Sequence, residues 1–470
     1  MKIKVLFLLI AGLLTFLPPN KSQALKYETE DLEVGFSKAD ITPEIGKKPV
    51  YIAGFGHNRT AQGVHDPIFI RVMVLSSKGK KYAFACADLI GLFKDQVDEI
   101  RKELKDFENV MISCTHSHEG PDTLGLWGQS PFTSGIDPEY MVLLIKKTVS
   151  AIKNAAQNLN PCKVDIAKVS IPELLHDGRD PQVKMDELLT LRFKNPNSSM
   201  PLGFVLFWHS HPETLGSVNK KISSDFVGYT INEIEKKTNS PAIVFSGAVG
   251  GLMTSLKVSI KNSKGEELND GTYEKTAKYG ELLALACLKS LQEAKPISLS
   301  PIVIRKRDIL LPVDNPLYRL AKQIGVLKRE MVEWNETENL LPELNKRAPK
   351  HPAVKTELSV ITLGQLGIGC IPGEIYPELL LGKVAKIPEK EADYQDAKTE
   401  VEWFKNWNIP YKTVIGLAND EIGYILPKKQ WDEKPPFAYG KKTAPYGEIN
   451  SLGPDTALLL SNAFNQLISK

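Results

Sequence analysis

The sequence has few cysteines, few histidines and almost no imbalance of charge. Its five cysteines (Cys86, Cys114, Cys162, Cys287, Cys370) include no C-x-x-C pair. This excludes a disulfide framework and a cysteine metal site; four of them lie in apolar, strand-like surroundings where a buried free thiol is usual. Fifty-nine basic residues stand against 56 acidic ones, a net charge of +3. That near balance gives no electrostatic footing for nucleic acid or for an anionic membrane surface. No stretch beyond the N-terminus is long and apolar enough to span a bilayer. There is also no internal repeat and no low-complexity linker that would force a domain boundary. With 470 residues, 42% hydrophobic and 24% charged, the chain is expected to fold as a globular protein with a large core.

The N-terminus, "MKIKVLFLLIAGLLTFLPPNKSQALK", carries Lys2 and Lys4, an apolar run from Val5 to Leu17, and then Pro18 and Pro19. The run falls short of the roughly 20 residues a membrane-spanning helix needs. Small residues at Ser22 and Ala24 suit a signal-peptidase site, so residues 1–24 read as a cleaved export signal. The mature protein, residues 25–470, is then expected to be secreted or periplasmic.

The scarce histidines are not scattered. Four of the eight fall in "CTHSHEG" (114–120) and "WHSHPE" (208–213), whereas a random placement would give only about 0.1 such H-x-H pairs. Each pair follows a short apolar strand, "NVMISC" and "PLGFVLFW". On a strand, residues i and i+2 point to the same side, so both rings of a pair can serve one place. Two further apolar strand units end in ligand-competent residues: "ELSVITLGQLGIGCIPGE" runs to Glu374 and "YKTVIGLANDEIGYILP" to Tyr424. By themselves Glu374 reads as an acid at a helix start and Tyr424 as a half-buried strand tyrosine.

The remaining pattern alternates strands with amphipathic helices. "IFIRVMVLSS" and "KYAFACADLIG" form a hairpin, and helices are predicted over 94–107, 139–158, 224–237, 273–294 and 454–468. The expected fold is α/β, one large domain with a central mixed β-sheet flanked by helices, and a site at the strand ends. Imidazole nitrogen, carboxylate and phenol oxygens suit a borderline cation such as zinc, and one zinc ion with an open position supports hydrolysis. Neither common H-x-H zinc hydrolase pattern fits well. A metallo-β-lactamase wants H-x-H-x-D-H where this chain has Glu119 and Gly120, and the strand–helix count does not suggest an amidohydrolase barrel.

"GFSKADITP", "GVHDPIFIRVMVL", "ACADLIGL", "NVMISCTHSHEGPDT", "FWHSHPETL", "IPGEIYPE" and "GLANDEIGYILP" occur in the same order as segments of the neutral/alkaline ceramidase family, which this chain resembles from about Leu32 onward. The resemblance implies a zinc-dependent amidase with a mixed-sheet α/β core, a family that cleaves the N-acyl bond of ceramide. It implies zinc on His116, His211, Glu374 and Tyr424, with His118 handling protons beside the metal. It also implies that Arg179 in "HDGRDPQ" and Tyr446 in "APYGEINSLGP" donate hydrogen bonds near the scissile carbonyl, with Tyr439 as a rival to Tyr446. His209 has no clear counterpart and is either a support for the site or plain structure.

Two departures stand out. Where the family carries GDxSP, this chain reads "VFSGAVGGLMTS", so Gly251, Leu252 and Met253 replace the acid and the serine; Ser246 and Thr254 are nearby hydroxyls out of register. The larger ceramidases also continue into an immunoglobulin-like domain, so this chain is expected to correspond to the catalytic domain alone. The sequence therefore points to an exported hydrolase of a non-peptide amide. Its partner is a small-molecule or lipid amide, with transient contact with a membrane surface, and no nucleic acid is expected. A non-catalytic relative that keeps the fold, or an esterase or deacetylase on another acylated substrate, are the alternatives.

Overall fold

The computed structural model describes residues 31–334, 350–384 and 390–469; the expected export signal lies outside them. The first part contributes β1 (Leu32–Asp40), β2 (Phe69–Ser77), β3 (Lys80–Ala87), α1 (Lys94–Lys102), β4 (Asn109–Cys114), α2 (Pro138–Gln157) and the short β5 (Asn160–Pro161). The middle part adds β6 (Lys163–Ser170), β7 (His176–Asp177), β8 (Glu187–Lys194), β9 (Pro201–Trp208), α3 (Asp225–Thr238), β10 (Ala242–Ser246), β11 (Met253–Thr254), α4 (Tyr273–Ser290) and β12 (Lys295–Ile297). The last part holds β13 (Ile302–Pro312), α5 (Pro316–Gln323), β14 (Val332–Glu333), β15 (Pro352–Leu363), β16 (Leu366–Cys370), β17 (Glu374–Ile375), α6 (Pro377–Leu381), β18 (Tyr411–Ile415), β19 (Tyr424–Ile425), α7 (Tyr446–Ile449) and α8 (Thr456–Ile468).

The mixed α/β architecture expected from the sequence is present, its strands distributed over three five-stranded sheets and two small two-stranded pairs. The first sheet runs β4-β3-β2-β1-β5, the second β10-β9-β8-β6-β12, and the third β13-β15-β16-β18 with β14 against β15. Period-2 alternation explains how they pack. Along β3, Tyr82, Phe84 and Cys86 face a core shared by all three sheets, while Ala83, Ala85 and Ala87 face the other way, toward α1 and α2. The second sheet's outer face is closed by α3 and α4, and the third's by Trp403, Trp407 and α8. Local signals start the helices where the chain turns. Asp137 caps α2 ahead of Pro138, accepting from the Glu139 N–H, and Thr272 caps α4 by accepting from Lys275. All five cysteines are buried. Among the described residues, no helix is long and apolar enough to cross a membrane.

Each five-stranded sheet is antiparallel except at one pair. In the five-stranded sheets the parallel pairs are β3/β4, β9/β10 and β16/β18, and in all three the C-terminal ends meet. Backbone and side-chain hydrogen bonds stitch them together. The Gly416 N–H donates to the Ser246 carbonyl at 2.9 Å, the Asn419 N–H to the Ile112 carbonyl at 2.7 Å, and the Ser246 hydroxyl to the Thr115 carbonyl at 2.6 Å. Glycine is required at this junction, because a Cβ on Gly416 would fall inside the carbonyl oxygen of Gly247. Gly416→Ala is expected to lower stability by about 1–3 kcal/mol, the usual cost of forcing extra volume into a packed site. A denaturant midpoint unchanged from the parent would show that the junction yields freely.

Candidate metal centre

The three strand ends bring His116, His118 and His211 from the two H-x-H motifs together with Glu374 and Tyr424. His116 follows β4 with a left-handed backbone, φ 67°. For a non-glycine residue this conformation costs on the order of 1–3 kcal/mol and is tolerated when the surroundings fix it. Here the flanking Thr115 and Ser117 N–H groups donate to the carbonyls of Ala87 and Leu89, so the turn is held and the ring is aimed inward. His211 follows β9 and is held by β11, its N–H donating to the Met253 carbonyl at 2.9 Å. Glu374 and Tyr424 are direct partners in the parallel β17/β19 pair, which fixes the carboxylate and the phenol as neighbours.

Hydrogen bonding sets the tautomers. His116 Nδ1 lies 2.6 Å from the Ile90 carbonyl and His211 Nδ1 lies 2.7 Å from the Met253 carbonyl. A carbonyl only accepts, so each Nδ1 carries a hydrogen and each ring turns its Nε2 toward the centre, where a neutral ring would offer a lone pair. Both Nε2 atoms point at the same carboxylate oxygen: Glu374 Oε2 is 2.9 Å from His211 and 3.4 Å from His116. The Tyr424 hydroxyl lies 3.4 Å from His211 Nε2. Two lone pairs aimed at a buried carboxylate repel unless a proton or a cation sits between them. Burial opposes charge on His211, but Glu374 and Glu213 outweigh it and raise its pKa to about 9. Burial works the other way on Glu374, and the two imidazoles beside it hold its carboxyl well below the ordinary range. The donor set thus favours positive charge at its centre and fits a divalent ion held by two imidazoles, a carboxylate and a phenol. The nitrogen atoms of His116, His118 and His211 also lie within 4.8 Å of one another, close enough to hold an ion.

His118 sits beside this set, its ring centroid 5.1 Å from that of His116 and 5.5 Å from that of His211. Neither of its ring nitrogens makes a hydrogen bond among the described residues, although Glu213 Oε2 is 3.4 Å from Nδ1. Burial first, then the neighbouring histidines, hold its pKa well below the usual value. Its backbone is pinned from behind, since the Arg59 guanidinium donates to its carbonyl and to that of Ala53.

His209, the other member of "WHSH", faces away from this centre. Its Nδ1 accepts the Ala248 N–H at 2.9 Å, and burial lowers its pKa to about 3. It is a neutral strut under the glycine turn after β10. The stretch "GGLMT", which departs from the family's GDxSP, serves the centre through its backbone, since Met253 supplies the carbonyl that orients His211.

The two remaining residues assigned from the resemblance lie outside the donor set. Tyr446 opens α7 at the rim, its ring centroid 5.8 Å from that of Tyr424. The residue is 48% exposed; partial enclosure of its hydroxyl end raises its pKa to about 12, so the hydroxyl stays protonated at neutral pH. Arg179 borders a second cavity on the far side of Tyr446, which Tyr439 also lines. Its guanidinium is already engaged, donating to Glu448 at 2.5 Å, to the Gln430 carbonyl at 2.7 Å and to the Asp180 carbonyl at 3.3 Å. Because Glu448 belongs to α7, this pairing fixes the helix that carries Tyr446. Glu213 and Glu421 escaped the sequence reading. Glu213 lies inside "HSHPE", but nothing in one dimension shows that it returns to His118 rather than to solvent.

The centre opens into an apolar pocket. Ile90, Phe93, Leu124, Trp127, Leu327 and Met331 line it, with His116, His118, Glu374, Tyr424 and Tyr446 at one end. This is an α/β fold with a cluster of side chains that could hold a metal ion at the C-terminal ends of parallel strands, facing an apolar cleft. Comparison with known proteins bears on the fold and the family. Residues 32–177 match the family described as neutral/alkaline non-lysosomal ceramidase, N-terminal. The neutral ceramidase of Drosophila pseudoobscura pseudoobscura is 26% identical over 251 residues, 47% of this chain and 35% of the fly protein. The neutral ceramidase of Pseudomonas aeruginosa is 23% identical over 300 residues, 57% of this chain and 43% of the bacterial one. The matched stretch therefore spans less than half the length of these curated relatives. The crystal structure of the Pseudomonas aeruginosa neutral ceramidase superposes with a TM-score of 0.69 at 16% identity, covering 94% of this chain and 74% of that one. A structure described as ceramidase complexed with C2 gives 0.68 at 16% identity, covering 93% and 75%. The family resembled is that of the neutral/alkaline ceramidases, and the fold is theirs.

Proposed function

We propose that this protein is an exported, zinc-dependent hydrolase of a non-peptide N-acyl bond, with a ceramide-like lipid as its first substrate. The observation that carries this reading is the convergence of His116 Nε2, His211 Nε2, Glu374 and Tyr424 at the end of an apolar pocket. Zinc bound there would act as a Lewis acid and lower the pKa of a water to about 7. The chain's own residues supply the rest. The Ile90 and Met253 carbonyls orient the two ligand rings. His118 is the free base, held close to the centre with Glu213 behind it, and moves a proton from the attacking water to the leaving amine. Tyr446 donates its hydroxyl hydrogen to the developing oxyanion at the rim. Arg179 acts through Glu448 by keeping α7, and so Tyr446, in place. The apolar walls take the hydrocarbon chain and keep bulk water out.

Purified mature protein is expected to contain about one metal ion per chain and to release free amine from N-acylsphingosine. The check is elemental analysis followed by a panel of acylated amines, acetylated sugars and simple esters. Stoichiometric metal with no turnover on any of them would favour the non-catalytic reading, which the replaced GDxSP stretch motivates. Turnover on esters or acetylated sugars alone would move the chemistry away from the amide.

A further inference from the structure

Away from the donor set, the pocket wall carries a few polar side chains, among them Arg329, Tyr318, Asn450 and Glu421; the Arg329 guanidinium is taken up by Asp420 and the Tyr318 hydroxyl by the Asn450 carbonyl. Glu421 is only 6% exposed and is used by no step described so far. Its Oε1 accepts the Gly423 N–H at 2.7 Å, whereas its Oε2 has no hydrogen-bond partner among the described residues. The side chain is not free to swing toward solvent. Gly91 packs so closely that a Cβ there would stand 3.1 Å from both Cβ and Cγ of Glu421. The preceding residue, Asp420, is locked by Arg329, Thr356 and the Lys94 N–H. A buried carboxyl oxygen left without a partner costs on the order of 1–3 kcal/mol or more, so its persistence calls for a ligand that completes it.

We infer that Glu421 is a specificity-determining residue that reads a hydroxyl group on the substrate, so that the pocket selects N-acyl amino alcohols over plain N-acyl amines. This rests on the proposed function above. A hydroxyl both donates and accepts, so it satisfies Oε2 whether the carboxyl is ionised or protonated. A cation would need the ionised form, next to a centre that itself attracts positive charge. The placement suits recognition close to the scissile bond. Glu421 precedes Tyr424 on the same turn, and the Gly423 carbonyl accepts the Glu374 N–H at 3.0 Å. Burial, followed by the nearby Glu374 charge, pushes the Glu421 carboxyl pKa well up, as expected of a group waiting for a partner.

The test compares metal-loaded protein on two matched substrates of equal chain length, an N-acyl amino alcohol and the corresponding N-acyl alkylamine. The parent is expected to prefer the hydroxylated substrate in kcat/KM by about 10-fold or more, the usual cost of leaving a buried polar group unpaired. Glu421→Leu should bring the ratio to near unity by slowing the hydroxylated substrate, while Glu421→Gln, which still hydrogen-bonds a hydroxyl, should keep most of it. Tryptophan fluorescence, through Trp127 in the pocket wall, gives a second readout by titrating the free amino alcohol against the free alkylamine. Equal rates and equal binding of the matched pair by the parent would overturn the inference and leave the proposed hydrolase standing. A loss in Glu421→Gln as large as in Glu421→Leu would assign the oxygen to a cation instead. Failure of the parent to bind or turn over either member would sink both readings together.

Discussion

His211→Ala is expected to abolish stoichiometric metal binding and, with it, turnover. His211 Nε2 is the closest nitrogen to Glu374, at 2.9 Å, and also neighbours the Tyr424 hydroxyl, so its removal takes away the hub of the donor set. Even the loss of a residue that only supports a ligand costs roughly 10–100-fold in metal affinity or activity; removal of this ligand should exceed that range. The control lies two residues away in the same motif. His209→Ala should retain the metal while losing about 1–3 kcal/mol of stability, because the Ala248 N–H is left buried without its acceptor. Equilibrium dialysis with elemental analysis, beside denaturant unfolding, separates the two variants. Full metal retention in His211→Ala would remove the basis for the proposed centre.

Asp420→Ala should produce the largest loss of stability among single changes near the site. Asp420 is completely buried. It accepts from the Lys94 N–H at 3.0 Å, the Thr356 hydroxyl at 2.6 Å, its neighbour Glu421 N–H at 2.9 Å and Arg329 Nη1 at 2.7 Å. Its removal strands the Arg329 guanidinium, itself only 5% exposed, and breaking one side of such a buried pair costs about 3–5 kcal/mol. Asp420→Asn should recover part of the loss, since one acceptor oxygen remains. By contrast, Glu235→Ala, which breaks the half-exposed pair with Lys38 at 2.9 Å, should cost no more than about 1 kcal/mol. If the two alanine variants unfold at the same denaturant concentration, Asp420 is not the anchor of the loop that presents Glu421 and Tyr424.

The parts of this arrangement visible in the sequence are those with a local signature. The H-x-H pairs stand out because histidine is scarce, and the hairpin of β2 and β3 because its alternation is regular. Glu374 and Tyr424 gain meaning only through the family resemblance. Their partnership is a rung between two-residue strands far apart in the chain, and no periodicity spans that distance. β13 stayed hidden because "IRKR" interrupts its apolar run; those residues lie on its partly exposed outer stretch, paired to β15. The orienting carbonyls of Ile90 and Met253 could not be read at all, since every residue has a carbonyl and only folding decides which one meets a ring. Arg179 shows the opposite limit: its presence in a motif was legible, but its commitment to Glu448 depends on a helix 269 positions away.

The meeting of three parallel pairs divides the molecule into parts that can change and parts that cannot. The junction is made of backbone carbonyls, amide hydrogens and a glycine with no spare volume, so a shift in any one sheet would pull a different donor out of reach. The greasy cleft, in contrast, is walled by side chains from segments outside the sheets, such as Leu124, Trp127, Leu327 and Met331. Exchanging those walls would alter which ligand fits while leaving the proposed metal ligands untouched. Engineering of substrate choice in this scaffold should therefore start from the cleft and leave the seam alone.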